Sequence, residues 1–518
     1  MTQDQSRPPA APRAPLFRAV DELGLTKSLP CAAADFLPLA PGASATAGTL
    51  LLGLGPRPEI LPDLVPGLAA GPVRYVEAPA LAAQYGPDWR GRIPSGFVPA
   101  DADAVAALAA TTRLLLYRPG PRLFPGFFGP LLARIAIARL PAPPAVDGRL
   151  AWLPGDAGAL LRVELREALE SLGFRVQELD GDADPRALLA RGQCPALFLS
   201  VNFRGLDPLG ETAHLLRAAG AVVAVWCVDN PLHLLSGLRG RFWTRLPLFV
   251  TDDWFLAPLR RLGAERVFHL PLAARERDLA GPPRPPAPQW AGLSGRLAFA
   301  GRSAFPGKDG FFAGCTLPAA PWTEAGRLMD EGGRPDFAWW LARLGVERLW
   351  PGNAVRRAGY CAEETGREWR ASCLRRAAAD LGGGLTVFGD EGWRELLPAG
   401  SDLRGPVDYY AALPDICATA AACLNCTSPL LPHGLTQRHF DVFAWGGLLL
   451  SDATPGLALF PRELTHEIVF RRPADIAPRL KALTASGVGD LKAAWRAELA
   501  ARHTYRSRVR ALLDAVGL

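Results

Sequence analysis

The stretch "RLAWLPGDAGALLRVELREALESLGFRVQELD", Arg149–Asp180, decides the fold class. It opens as an apolar run that ends at Pro154 and Gly155, the composition of a buried strand entering a turn. From Gly158 to Gly173, Leu161, Leu165, Ala168, Leu169 and Leu172 recur at helical spacing, with Arg and Glu between them. Gly173 ends that segment, and "FRVQELD" returns to strand composition. Strand, helix, strand predicts a βαβ unit whose two strands run parallel.

The unit repeats outward to about residue 279, through "PALFLSVNF", "AVVAVWCVDNP", "PLFVTDD" and "RVFHLPLAA". Near-continuous apolar strands predict a sheet covered on both faces. Ser200, Asn202, Asp229, Asn230, Thr251 and Asp252 stand where these strands end. Those ends form one edge of the sheet, where open α/β sheets bind ligands.

On the amino side, "TLLLGLGP" is a strand entering a Gly-x-Gly turn, and "VRYVEAP" ends at Glu77. That is the outline of a nucleotide-binding unit, but Pro56 and Pro58 follow and the third glycine is missing. The block reads as a structural half-Rossmann unit. On the carboxyl side, the proline-rich "GPPRPPAPQW" from Gly281 is a stiff connector. Beyond it come "RLAFAGRS", two long helical stretches, then "LTVFGD", "AACLNC", "LLLSD" and "HEIVFRR" as strands. The expected organisation is a disordered tail over 1–45, an α/β block over 46–145, a first lobe over 146–280 and a hinge over 281–291. A second lobe over 292–490 and one C-terminal helix over 491–518 complete it.

Composition narrows the function. The 518 residues are 49% apolar and 21% charged, a globular balance that suits several domains. The net charge is +6 and its cations are nearly all arginine; Lys27, Lys308, Lys481 and Lys492 are the only lysines. No basic tract interleaves with aromatics, so nucleic acid is not an expected partner. Nine cysteines are scattered, and Cys423-x-x-Cys426 lacks the second pair of a zinc site. They read as buried thiols in a reducing compartment. "MTQDQSRPPAAPRAP" has no signal-peptide core and no apolar stretch reaches a membrane span, so a cytoplasmic protein is expected.

Chemistry concentrates in "RHFDVFAWGGLLLSD", Arg438–Asp452. The spacing predicts a helix capped by Thr436 and ended by Gly446 and Gly447. Its amino end faces the carboxyl edge of the sheet, where free amides favour a diphosphate. Arg438 and Asp441 lie three residues apart, placed for phosphate and ribose. The competing reading is an exposed Arg438–Asp441 pair worth well under ~1 kcal/mol. Gly389 and Asp390 end "LTVFGD" at the same edge and border a base or sugar, or only a turn. Asp229 in "WCVDNP" is a candidate general base or acceptor ligand.

Several patches together resemble one family: "SVNFRG", "VWCVDNP", "LTVFGDEGW", "VDYYAALP", "LNCTSPLLPHGLTQRHFDVFAWGGLLLSD" and "HTYRSR". From about Val201 to Leu513 the chain is similar to the CgeB-like (spore maturation protein B) glycosyltransferases, together with the uncharacterised domain often found ahead of their donor lobe. The resemblance implies a GT-B fold: two Rossmann-like doubly wound lobes with a cleft, here with the extra N-terminal α/β block. It implies a nucleotide-sugar in the second lobe and Asp441 on the donor ribose, five residues before Gly446. His433 falls where wider GT-B families carry the first glutamate of an E-x7-E motif, a departure that touches the contact to the transferred sugar. A basic pair after the first strand of that lobe corresponds to Arg302 and Lys308. In such proteins the terminal helix packs back across the first lobe, so His503 and Tyr505 read as structural.

The expected function is sugar transfer from a nucleotide-sugar donor to a hydroxyl on a protein or surface glycan. Asp229 and His433 are the candidate catalytic groups. Arg302, Lys308, Gly389, Asp390, His433, Arg438, Asp441 and Gly446 are candidates for binding the donor. No metal is expected, since cations and helix amides replace it and Asp252–Asp253 belongs to the other lobe. Two alternatives stand beside this: a catalytically silent GT-B-fold assembly protein, and a nucleotide- or methyl-donor-dependent enzyme built on the N-terminal block.

Overall fold

A computed structural model of the chain describes residues 17–39, 48–68, 71–156, 158–181, 183–485 and 487–518. The expected tail is shorter than 1–45. Strands β1 (Phe17–Val20) and β2 (Thr26–Leu29) form an antiparallel hairpin. It is anchored because Ala19, Leu23 and Leu29 are buried. Residues 1–16 and 40–45 of that expectation lie outside the described residues.

The N-terminal sheet contains β3 (Phe36–Leu39), β4 (Thr49–Leu52), β5 (Val73–Val76), β6 (Phe97–Pro99) and β7 (Arg113–Tyr117). Its order is β3-β7-β4-β5-β6, parallel except for the antiparallel β3. Helix α1 (Pro125–Ala138) leaves this block and packs on the first lobe. There an added Cβ on Gly129 would meet the His214 ring at 2.5 Å, so glycine permits the close approach.

The first lobe is a six-stranded parallel sheet of β8 (Ala145–Pro154), β9 (Arg175–Leu179), β10 (Gln193–Val201), β11 (Val222–Cys227), β12 (Pro247–Val250) and β13 (Arg266–His269). The order is β13-β12-β11-β10-β8-β9. Helix α2 (Arg162–Ser171) connects β8 to β9, as the opening stretch predicts, and buries Leu165, Ala168 and Leu169. Strand β10 is buried from Cys194 to Val201 without alternation, because helices cover both faces of the sheet. Helix α3 (Glu211–Ala218) is one of them and receives α1.

The second lobe carries β14 (Leu297–Ala300), β15 (Leu385–Phe388), β16 (Asp402–Arg404), β17 (Ala422–Asn425), β18 (Leu449–Asp452) and the two-residue β19 (Val469–Phe470). All pair parallel in the order β16-β15-β14-β17-β18-β19. The expected strand "HEIVFRR" begins as the end of a helix, His466–Ile468, with only Val469 and Phe470 in the sheet. The two lobes are Rossmann-like, doubly wound sheets, the GT-B-like arrangement expected, and they face each other across a cleft.

Three features tie the lobes together. Helix α4 (Ala354–Asp380) packs Val355–Ala362 against the first lobe and Trp369–Ala377 into the second. Helix α5 (Arg438–Ala444) lies at the junction. The expected single terminal helix is two: α6 (Gly489–Arg502) and α7 (Tyr505–Val516). The break has a tertiary cause. Ala274 N donates to His503 O, Tyr505 N donates to Ala274 O, and the Thr504 hydroxyl caps the new helix at Ser507 N. Helix α6 packs on the second lobe, with Trp495 stacked on Phe443 at 4.5 Å. Helix α7 returns to α2 of the first lobe, so His503 and Tyr505 sit at a structural joint.

Candidate active site at the interlobe cleft

In the second lobe the chain runs β14, β15, β16 to one side, then resumes at β17 on the other side of β14. The carboxyl ends of β14 and β17 therefore flank a topological switch point, the crevice where such sheets take ligands. Gly301, Arg302 and Ser303 follow β14, and the loop 426–437 follows β17.

Arg438 bridges this crevice. Its Nη2 donates to the Ala300 carbonyl, while its Nε is buried with no hydrogen-bond partner among the described residues. A buried guanidinium with a free N–H is costly unless something accepts from it. Arg302, two residues past β14, is exposed and has no ion pair or hydrogen bond among the described residues. Both cations thus stand beside the carboxyl end of β14, Arg438 through its bond to Ala300 O and Arg302 by its place in the following loop.

The other predicted donor residues are placed differently. Lys308 pairs with Glu364 on α4 and lies over the Tyr360 ring. Asp390 braces the Arg302 loop, accepting from Ser303 N at 3.0 Å, Ser303 Oγ at 2.6 Å and Gly392 N at 3.1 Å. Gly389 lets two loops touch, since a Cβ there would sit 2.5 Å from the Gly301 carbonyl. Gly446 is at the far end of α5, in left-handed backbone at φ 90°. Gly446 N and Gly447 N return to Phe443 O and Val442 O, a Schellman ending that leaves this glycine in a structural role.

Helix α5 starts at Arg438, and Gln437 caps it without a side-chain bond. Thr436 is not the cap; its hydroxyl donates to Asn425 Oδ1 at 2.9 Å and its amide to His439 Nδ1 at 3.0 Å. Nor do Arg438 and Asp441 form an exposed pair. Asp441 is 2% exposed and accepts from Tyr409 Oη at 2.5 Å and Gln437 Nε2 at 2.9 Å. Burial pushes its carboxyl up to about 8 against those two donors. Gln437 in turn donates to Ala273 O at 2.7 Å and accepts from Tyr505 Oη at 2.6 Å. Tyr410 reaches across to α2, donating to the buried Glu164 at 3.0 and 3.1 Å.

On the facing lobe, Asp229 stands two residues past β11. It is exposed, and its carboxylate accepts from Asn202 Nδ2 at 2.7 Å. Desolvation by the cleft walls raises its carboxyl above the ordinary range, partly offset by that donor. Asn202 is held in left-handed backbone at φ 55°, followed by Phe203 at φ 61°. From there Asn202 Oδ1 accepts from Val228 N and Asp229 N at 2.9 and 3.2 Å. Two consecutive non-glycine residues in this region store backbone strain, which often marks a functional edge. Asn230 closes the gap between lobes through Nδ2 to Leu430 O at 3.0 Å.

His433 stands in the β17 loop and meets the first lobe. Its Nδ1 is 2.7 Å from Asp253 Oδ1, and its amide donates to Asp252 Oδ2 at 2.9 Å. A cavity of about 210 Å3 opens beside them, lined also by Thr251 and His269. Ligating atoms of Asp252, Asp253 and His433 lie within 4.8 Å of one another. Asp252 and Asp253 belong to the first lobe, as expected, and the fold brings them against His433 of the second. Burial pushes the Asp252 carboxyl up to about 6.

Three functional supports have no local sequence signature. Arg334 donates to Ser428 O and Leu431 O and pairs with the buried Asp452 at 3.6 Å, pinning the β17 loop. Tyr409 and Tyr410, conspicuous in "VDYYAALP", reveal their roles only through partners far along the chain. The C-x-x-C cysteines do not pair with each other: Cys423 contacts Cys417 at 2.7 Å, and Cys426 neighbours Cys373. All nine thiols are free.

Residues 367–514 match the family model described as glycosyl transferase-like. No curated protein matches the chain. Among solved structures it is similar to a UDP-forming α,α-trehalose-phosphate synthase from Burkholderia xenovorans, at 10% identity and TM-score 0.38, over 72% of this chain and 99% of that one. It is also similar to the E. coli trehalose-6-phosphate synthase bound with UDP-2-fluoro glucose, at 11% identity and TM-score 0.32, over 91% and 99%. A third similarity is to the calicheamicin glycosyltransferase CalG4, at 13% identity and TM-score 0.24, over 91% and 99%. At such TM-scores the overlaps fix no residue roles.

Proposed function

We propose that the protein is a CgeB-like GT-B glycosyltransferase. It moves a sugar from a nucleotide-sugar to a hydroxyl on a protein or surface glycan, in the cytoplasm. The observation that carries this reading is the β14/β17 crevice, where among the described residues Arg438 Nε is buried without a partner and Arg302 is unpaired. Two cations at one switch point suit a diphosphate, and they stabilise the negative charge that develops on a departing nucleoside diphosphate.

In this reading Asp441 receives the donor ribose, the diol displacing the Tyr409 hydroxyl that now occupies its Oδ2. Asp229 takes the proton of the incoming acceptor hydroxyl; its raised proton affinity and its fixed orientation on Asn202 favour that role. His433, oriented by Asp253, borders the transferred sugar and orients its hydroxyls. No metal enters the scheme, because the arginines supply the positive charge.

The test is release of nucleoside diphosphate from UDP-, GDP- and ADP-sugars, with and without cell-envelope glycan extract as acceptor. Release that is stimulated by acceptor and lost in Asp229→Asn supports the proposal. A second reading, a silent binding protein, is favoured by one observation: both Asp441 oxygens are already engaged inside the fold. Nucleotide binding without any release from these donors would select it.

A further inference from the structure

The N-terminal sheet has a switch point of its own. The chain runs β4, β5, β6 and returns to β7 on the other side of β4. That crevice is filled. Tyr117, the last residue of β7, is fully buried and donates through its hydroxyl to Pro30 O at 2.7 Å. A Cβ on Gly53 would lie 2.9 Å from Tyr117, so the Gly-x-Gly turn is packed onto the ring. The turn amides are also taken, since Leu54 N donates to Glu77 Oε2 at 2.9 Å. A dinucleotide diphosphate has no room at this turn.

The open space lies one strand over. A cavity of about 620 Å3 sits at the carboxyl edge of β5 and β6. Glu77, Tyr75, Arg90 and Ser95 give it polar groups, and Phe97 and Phe127 an apolar wall. Glu77 is fixed from behind, by Leu54 N on Oε2 and by Ala78 N on Oε1 at 2.9 Å. The Gly55 amide also bonds this carboxylate, and a carboxylate offers about four acceptor sites, so capacity remains for an incoming hydroxyl. Arg90 is exposed at the rim, without an ion pair or hydrogen bond among the described residues. The Tyr85 hydroxyl is buried with no partner among the described residues, its ring 4.9 Å from that of Trp89, another cavity residue.

We propose that this cavity is a second ligand site, separate from the interlobe cleft, for a small molecule bearing a vicinal diol and a phosphate. Glu77 holds the diol, Arg90 the phosphate, and Phe97 and Phe127 the ring face. Nucleoside monophosphates and sugar phosphates share this chemistry.

The test is calorimetric titration of the full chain carrying Arg438→Ala, so that the interlobe crevice is weakened, with UMP, AMP and glucose 6-phosphate. At least one probe is expected to bind, with Arg90→Ala weakening it by about tenfold or more and Arg90→Lys recovering part of the loss. Binding of UMP or AMP alone identifies a nucleotide site; binding of glucose 6-phosphate identifies a sugar-phosphate site. Arg90 is exposed, so its variants leave the fold intact. No binding of any probe at ~1 mM, or equal affinity in Arg90→Ala, overturns the proposal.

Discussion

Tyr409 donates its phenolic proton to Asp441 Oδ2 at 2.5 Å, inside a fold where Asp441 is 2% exposed. This contact makes Asp441 a joint of the lobes as well as a candidate donor ligand, because Gln437, its other donor, also holds Ala273 and Tyr505. Tyr409→Phe removes one donor from a buried carboxyl and leaves it partly unsatisfied. The expected cost is about 1–3 kcal/mol, read as a lower urea midpoint at unchanged slope. An unchanged midpoint shows that the contact does not hold the joint.

Acidity gives a second prediction. Asp441 has an ordinary value of 3.8 and is pushed up to about 8 in the fold. Between those values the folded chain keeps a proton that the unfolded chain has released, so stability falls as pH rises from about 4 to about 8. Asp252, raised to about 6, and Glu77, raised to about 7, act with the same sign over narrower windows. The melting temperature is expected to decline from pH 5 to pH 8, and Asp441→Asn to flatten the upper part of that decline. An equal slope in Asp441→Asn removes Asp441 as its source.

Chelation separates two roles for Asp252, Asp253 and His433. In the proposed scheme their short contacts orient the loop and no cation is needed, so dialysis against EDTA leaves nucleoside diphosphate release unchanged. Loss of release with recovery on adding Mg2+ or Mn2+ would instead make the trio a metal site.

The thiols give a test of packing. Seven of the nine cysteines are buried, while Cys31 and Cys315 are half-buried. Burial raises the Cys227 and Cys361 thiols further from reactivity, Cys361 up to about 12. Native labelling with a thiol reagent is expected to modify Cys31 and Cys315 first and to reach the other seven only on unfolding. Rapid native labelling of Cys423 or Cys426 would contradict the buried C-x-x-C.

Local pattern carried the sheets but not the site. The run Arg149–Asp180 states its strand, helix and strand in neighbouring residues, so the βαβ unit is readable without tertiary information. The joints are not. Lys308 meets Glu364, His433 meets Asp253 and Tyr410 meets Glu164 across 56, 180 and 246 residues. Each partner depends on how the lobes close, which no periodicity encodes. The break at His503–Thr504 was hidden for the same reason, since Ala274 causes it. Arg438 stands at the start of a helix that the spacing of its own stretch predicts, whereas Arg302 was reached only through the family resemblance.

The central claim is that the β14/β17 crevice holds a nucleoside diphosphate on Arg302 and Arg438. The most direct measurement is calorimetric titration of the protein with UDP, GDP, ADP and CMP, repeated on Arg302→Ala and Arg438→Ala. The account predicts that one nucleoside diphosphate binds at ~micromolar strength and that each variant weakens it by about tenfold or more. Absence of binding by all four nucleotides, or equal affinity in both variants, would contradict it.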